Sequence, residues 1–357
     1  MRKYAIILGC NLHWAPYYYR YEQILIKNKI PFDVIMWNRE GIKEAMAGDL
    51  IEFNLPDVSC NNNPTKVVKF FKFANFVKKT VKKNQYSKLI FLGFQGCALT
   101  LNASFFSKKY KNQYWIDIRD YHYEWLHPYY KLEEKVINAA FDVAISSEGF
   151  KDFLPPYDYL HIHNVDPHMA ELMGQYKHVK DDDHIRISFI GNVRYFNENC
   201  ALLQALGNDE RFRIQFYGTG TEQLEEYCKE NSISNVEFHG RFAQQETVLF
   251  YNRTDIINNI YGNQTKEVTT ALSNKLYYAI YLHMPILVSS GTYMEQFCEP
   301  YGFSFSFKEG KSFADDLYVW YHKALKRDDA AYVAAQHRVE EDEEKTFRRL
   351  TEFIGAE

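Results

Sequence analysis

The chain has 357 residues, enough for two domains, and is 46% hydrophobic and 25% charged. Those proportions exclude a disordered, collagen-like or fibrous chain. Six scattered cysteines (10, 60, 97, 200, 228 and 298) form no CxxC and no close pair, which argues against a disulfide scaffold and for reduced thiols in a cytosolic setting. The apolar run near the N-terminus is too short for a signal peptide, and no run approaches the ~20 residues of a membrane span.

In chain order, residues 4–8 read as a first strand ending in Gly9-Cys10-Asn11. The glycine permits a tight turn close to a ligand, and Pro16 is placed to open a helix. The turn is not GxGxxG, which disfavours an ordinary dinucleotide site. His13, Trp14 and the run Tyr17 to Arg20 can line a cleft at the strand's carboxyl end, where open α/β sheets bind ligands, or can pack the start of the helix. Further strands are predicted at 32–37, 89–93, 114–118, 143–146 and 159–163, with helical patterns between them, so the first half is a doubly wound βα array.

Residues 66–88 hold eight lysines and no acid. Val67, Phe70, Phe71, Ala74, Val77 and Val81 are expected on one helical face, with Phe73 and Phe76 outside it among the lysines. A basic amphipathic helix with exposed aromatics suits an anionic membrane surface; a solvated lysine face is the alternative. Charge is also divided: residues 1–165 carry 22 Lys+Arg and 16 Asp+Glu, the remainder 20 and 30. A localised basic stretch without a nucleic-acid motif favours membrane attachment over nucleic acid.

Residues 115–128 gather Asp117, Arg119, Asp120, His122, Glu124 and His127 at the end of a strand. Such a group suits acid–base or substrate-orienting chemistry, or else a structural ion-pair cluster. His161 and His163 share one side of a strand, but no third ligand is spaced to complete a metal site. Asp181 to Asp183 read as a solvated linker.

A second array begins at strand 185–190, followed by Gly191-Asn192-Val193-Arg194 and a helix through Leu206. Strand 212–217 runs into Gly218-Thr219-Gly220, and strand 236–239 into Gly240-Arg241. Each glycine lets backbone approach a ligand, and Arg194 and Arg241 can pair with a diphosphate. Residues 255–261 and 286–289 read as buried strands around a helix that starts at Ser273-Asn274-Lys275-Leu276 and stops at Pro285. A helix start seats phosphate well, and Lys275 in its first turn is easier to explain if an anion visits than as an ordinary exposed lysine. A last helix is expected from about 335 to 353.

These segments resemble a bacterial family 4 type glycosyltransferase of the GT-B fold, of the kind found with capsule or other surface-polysaccharide synthesis. The likeness rests on Asp117-Ile118-Arg119-Asp120, Ser146 to Phe150 and Asn164-Val165-Asp166 in the first half. In the second half it rests on Phe189 to Asn192, Tyr217 to Gly220, Phe238 to Gly240, and Asn274-Lys275-Leu276-Tyr277 with Pro285 to Val288. The resemblance implies two Rossmann-like doubly wound α/β domains facing a cleft. It places an acceptor domain at 1–166, a linker at 167–184, a nucleotide-sugar domain at 185–334, and a helix at 335–357 crossing back to the first domain.

It further implies retaining transfer of a sugar from a UDP- or GDP-linked donor to a saccharide acceptor, taken as lipid-linked. No metal or other cofactor is implied, and the protein is expected in the cytoplasm, peripheral on the inner face of the plasma membrane. Donor contacts fall on Gly191, Asn192, Arg194, Gly218, Thr219, Arg241, Ser273, Asn274, Lys275 and Leu276. Catalytic candidates are Asp117, Asp120 and His122, and Asn11, His13, Arg20 and Arg119 stand on the acceptor side. Two departures stand out: Thr270 and Tyr278 occupy the positions of the family's Glu-x7-Glu acids. A non-catalytic partner of an active transferase and a sugar-nucleotide epimerase are the alternatives of other kinds.

Overall fold

The computed structural model describes residues 3–57, 64–93, 98–181, 183–310, 312–324 and 329–355, with backbone alone at 64–66 and 244. Cys60, Cys97 and Asp182 lie outside the described residues. The chain divides into two compact units, one formed by Met1–His163 with Glu341–Glu357, the other by Asn164–Glu340.

The first unit is built on a parallel sheet of order β3-β2-β1-β4-β5-β6-β7. Its strands are β1 (Tyr4–Leu8), β2 (Phe32–Asn38), β3 (Asp49–Asn54), β4 (Leu89–Leu92), β5 (Tyr114–Ile118), β6 (Asp142–Ile145) and β7 (Leu160–His161). The second unit has a parallel sheet of order β10-β9-β8-β11-β12-β13. Its strands are β8 (Ile185–Ile190), β9 (Phe212–Tyr217), β10 (Val236–His239), β11 (Ile256–Asn259), β12 (Ile286–Ser289) and β13 (Ser304–Phe307). Apolar runs such as YAIIL and ILVS are buried along their whole length, as strands covered on both faces must be. The two strands missing from the sequence reading, β3 and β13, are edge strands, and every residue in them is partly or fully exposed. An edge strand needs no continuous apolar run, so it leaves a weak signal.

Three expectations change. In the helix Pro64–Asn84 the buried residues are Phe70, Phe73, Ala74, Val77 and Val81, so Phe73 is core, at 0% exposed. Its ring lies 5.2 Å from that of Trp37, while Val67, Val68 and Phe71 are the exposed apolar residues. The helix is rotated from the expected face because the aromatic cluster under β2 and β3 claims Phe73 and Phe76.

The stretch expected as a linker instead carries the helix Met169–Gln175, and Met169 joins the core of the second unit. The last helix is longer than predicted, Ala330–Ile354. Tyr332, Ala335 and Val339 pack into the core of the second unit, and Leu350, Phe353 and Ile354 into that of the first.

Candidate functional site

In the second unit the sheet order reverses between β8 and β11, so the chain leaves these neighbouring strands in opposite directions. Crevices at the carboxyl ends of strands at such a point are where open α/β sheets take ligands. A cavity of about 400 Å³ opens there, bounded by Phe189 to Asn192, Arg194 and Tyr195 on the β8 side. Phe242, Thr247, Tyr251, Tyr261, Asn274, Lys275 and Tyr278 complete its lining.

The loops that shape it are fixed by backbone bonds. Gly191 N–H donates to the Tyr217 carbonyl at 2.8 Å, and Val193 N–H to the Thr219 carbonyl at 2.8 Å. Gly218 has φ +133°, and a Cβ there would fall 1.9 Å from the Gly191 carbonyl oxygen. Only glycine allows this close approach of the two turns. Gly218 therefore acts on the loop packing and does not line the cavity.

The helix Asn274–Tyr281 begins at the cavity. Its N-cap Ser273 accepts from the Lys275 N–H at 3.2 Å and donates to Asn259 Oδ1 at 2.5 Å, so the helix start is tied to the end of β11. Lys275 is buried, at 7% exposed, although it lines the cavity. Its Nζ donates to the Tyr261 hydroxyl at 2.9 Å and lies 3.9 Å from the centre of the Phe189 ring. Tyr195, left-handed at φ +60°, stacks on Tyr261 with ring centres 4.7 Å apart. Among the described residues no carboxylate forms an ion pair with Lys275 or with the exposed Arg194. A desolvated ammonium beside aromatic faces and a helix N-terminus is a seat for an anion.

Five donor-side residues meet at the cavity: Gly191, Asn192, Arg194, Asn274 and Lys275. The others do not line it. Ser273 is the cap, and Leu276 is fully buried core. Exposed Thr219 donates to Asn192 Oδ1 at 3.4 Å, and Arg241 stands exposed off the cavity.

The aromatic walls were missed in the sequence reading: Phe189, Tyr195, Phe242, Tyr251, Tyr261 and Tyr278. Tyr261 stands two residues past the end of β11, and an aromatic just beyond a strand's carboxyl end was the available signal. Thr270 is buried and its hydroxyl donates to the Lys266 carbonyl at 2.7 Å, which makes it part of its own helix. Tyr278 stacks on Tyr251, centres 4.6 Å apart, and donates to Asp166 Oδ2 at 2.5 Å. Burial, then the bond to the Asp166 carboxylate, pushes the Tyr278 hydroxyl far up, so it stays protonated.

The first unit uses its candidates differently. Asp117 is fully buried and accepts from Arg119 Nε at 2.6 Å, Arg119 Nη2 at 2.7 Å and the Tyr21 hydroxyl at 2.8 Å. Both oxygens thus meet partners within the unit, as in a structural ion-pair cluster. Arg119 is buried with it and lies 4.4 Å from the Tyr17 ring centre, so it is not a surface acceptor contact.

Asn11 is also fully buried. It donates to Asn38 and Glu44, each at 3.1 Å, and accepts from the Arg39 N–H at 2.9 Å, which makes it a loop organiser. Arg20 donates to both oxygens of Glu343 at 2.8 Å and so ties the first helix to the last. His13 and Trp14 remain at the surface and share Glu40 Oε1, at 3.1 and 2.8 Å. Asp120 is exposed. Burial, aided by the Arg39 charge, pushes His122 down to about 4, so it is neutral at physiological pH. His161 and His163 both meet Asp342, at 3.5 and 3.1 Å. Among the described residues no group of three or more His, Cys, Asp or Glu side chains is placed to hold a metal ion.

No family model matches the chain, and no curated protein matches it in sequence. Solved structures do resemble it over nearly its whole length. A sucrose-phosphate synthase from Thermosynechococcus elongatus superposes with a TM-score of 0.68 at 10% identity, covering 98% of this chain and 99% of that one. A glycosyltransferase from Rickettsia africae gives 0.62 at 12% identity, with 99% of each chain covered. HepE of Anabaena, in complex with UDP, gives 0.63 at 11% identity, covering 99% of this chain and all of that one. The chain has the GT-B glycosyltransferase fold.

Proposed function

We propose that the chain is a glycosyltransferase that moves a sugar from a UDP- or GDP-linked donor, held in the cavity of the second unit, to a saccharide acceptor. The observation that carries this reading is Lys275, a buried cation at a helix N-terminus among aromatic rings. The leaving diphosphate of a sugar nucleotide is the anion that such a seat stabilises. Arg194 adds a second charge at the cavity wall, and the Gly191 turn lets backbone come close. Two cations and a helix start can neutralise a leaving diphosphate without a metal ion. The Anabaena neighbour, described with UDP, supports the nucleotide.

The reading extends to family 4 type transfer with retention, in the synthesis of a capsule or other surface polysaccharide. A screen of UDP- and GDP-sugars for thermal stabilisation tests the donor, since a ligand that binds only the folded state raises the melting point. Lys275→Ala and Arg194→Ala are each expected to lower transfer by ~100-fold, the scale of losing one charge-stabilising donor. Wild-type rates in both would remove the diphosphate from this cavity. The anomeric configuration of the product, read by NMR, decides retention. A second reading, a non-catalytic partner of an active transferase, draws on Thr270 and Tyr278 standing where acids are expected. Stabilisation by neither UDP nor GDP would decide for it.

The acceptor in this reading is lipid-linked, and the protein sits peripherally on the inner face of the plasma membrane. Among the described residues no helix is long and apolar enough to cross a membrane. The helix Pro64–Asn84 exposes Val67, Val68 and Phe71, each at least half exposed, beside Lys72, Lys79, Lys82 and Lys83. Apolar residues next to lysines suit an anionic lipid surface. Replacing Lys78, Lys79, Lys82 and Lys83 with glutamate is expected to abolish co-sedimentation with phosphatidylglycerol vesicles while nucleotide binding persists. Unchanged sedimentation would retire the membrane contact.

A further inference from the structure

We propose that the Tyr261 hydroxyl is a second, uncharged hydrogen-bond donor to the anion that Lys275 neutralises. The inference rests on the donor reading above and adds a residue to the seat of the leaving phosphoryl group. The two side-chain tips stand 2.9 Å apart and both residues line the cavity. An anion on Lys275 is therefore beside the hydroxyl whichever way the nucleoside lies.

The deciding feature is the direction of the hydroxyl proton. An ammonium has only protons to give, so the Tyr261 oxygen is the acceptor in its bond to Lys275 Nζ. The O–H then points away from the ammonium, and among the described residues no group accepts it. With an ammonium polarising its oxygen, the phenol donates more strongly than a free one. Adjacent oxygens of one phosphoryl group can take one bond from the lysine and one from the tyrosine.

Tyr261 is also fixed before any ligand arrives. Ser289 Oγ, at the end of β12, accepts from the N–H of Tyr261 at 3.0 Å and from that of Gly262 at 2.8 Å. The ring stacks on Tyr195, and its centre lies 6.1 Å from that of Phe189. A donor held in this way needs no reorganisation when charge develops on the leaving group.

The test is isothermal titration of the full chain with UDP, GDP and inorganic pyrophosphate. It compares the wild type, Tyr261→Phe, and a chain carrying 3-fluorotyrosine at position 261. Phenylalanine keeps the stacked ring and loses the hydroxyl. It is expected to weaken the tighter nucleotide ~10-fold, the scale of one hydrogen bond to a charged group. Fluorine makes the phenol a better donor and a poorer acceptor. At a pH where that phenol is still protonated, the fluorinated chain is expected to bind about 2-fold more tightly than the wild type. A hydroxyl that merely held Lys275 would give the opposite sign, because its oxygen would serve the ammonium less well. Equal or weaker binding by the fluorinated chain, or an affinity unaltered in Tyr261→Phe, overturns the role of Tyr261 and leaves the donor site standing. Should the phenylalanine variant fail to fold, the fluorinated chain, which keeps the ring and its hydroxyl, still decides. Wild-type binding of neither nucleotide nor pyrophosphate overturns the donor reading and the role of Tyr261 together.

Discussion

The two units offer the same place on the same kind of sheet and fill it in opposite ways. In both, the first strand and the fourth lie side by side where the order reverses: β1 beside β4, and β8 beside β11. In the first unit the polar residues at that edge are spent on the protein itself. Asn11 is saturated by the end of β2 and the segment that follows it, and one strand further along the sheet Asp117 is locked to Arg119 and Tyr21. In the second unit the edge is left open, and Lys275 faces a tyrosine hydroxyl and ring faces instead of a carboxylate. A paired buried charge is architecture, whereas a buried cation held only by neutral groups asks for a ligand.

The largest effect that would break this comparison lies in the first unit. Asp117→Ala takes the carboxylate from the buried Arg119 guanidinium, which keeps its contacts to the Ile162 carbonyl and the Tyr17 ring, a loss of the kind that costs ~3–5 kcal/mol. The expected outcome is a lowered urea midpoint for the first unit, with UDP or GDP affinity in the second unit unchanged. If stability held while transfer vanished, the first crevice would be a working site and the contrast would be false.

Much of this was legible in the sequence. The apolar strand runs, the Ser273 cap and the glycine turns after β8 and β9 are local signals, and local signals survive without tertiary context. Asp117 illustrates what did not. An acid at a strand end looks the same whether it meets substrate or an arginine two residues on, and only the packing of Tyr21 beneath it decides. Phe73 and Phe71 differ in sequence by two positions, but the aromatic cluster at Trp37 and Phe53 buries one and leaves the other exposed. The Tyr278–Asp166 bond joins residues 112 positions apart, beyond the reach of any spacing rule.

A middling effect sharpens the open edge. Gly218→Ala places a methyl group where the Gly191 carbonyl oxygen already stands and adds a strained φ, so the two turns must part. The expected costs are ~1–3 kcal/mol of stability and about 10-fold in nucleotide affinity, because Gly191 lines the cavity although Gly218 does not. Loss of stability with affinity unchanged would mean that the Gly191 turn does not touch the ligand.

The smallest effect is a pH dependence in the first unit, where charge again serves architecture. Asp342 lies 3.1 Å from His163 Nε2 and 3.5 Å from His161 Nδ1. Burial alone would raise its carboxyl, but the hydrogen bonds and charges of the two histidines outweigh burial and hold it well below the usual range. A carboxyl depressed on folding contributes stability that is complete above its unfolded pKa of ~3.9 and is lost as pH falls towards the folded value. Asp342→Asn removes that term, so its urea midpoint should fall less steeply than the wild type's between pH 5 and pH 2, by on the order of 1 kcal/mol across the window. Parallel curves would mean that the histidines gain nothing from Asp342, and the last helix would then be held to the first unit by its other contacts, among them Arg20–Glu343, Arg349–Asp142 and the apolar packing of Leu350 and Phe353.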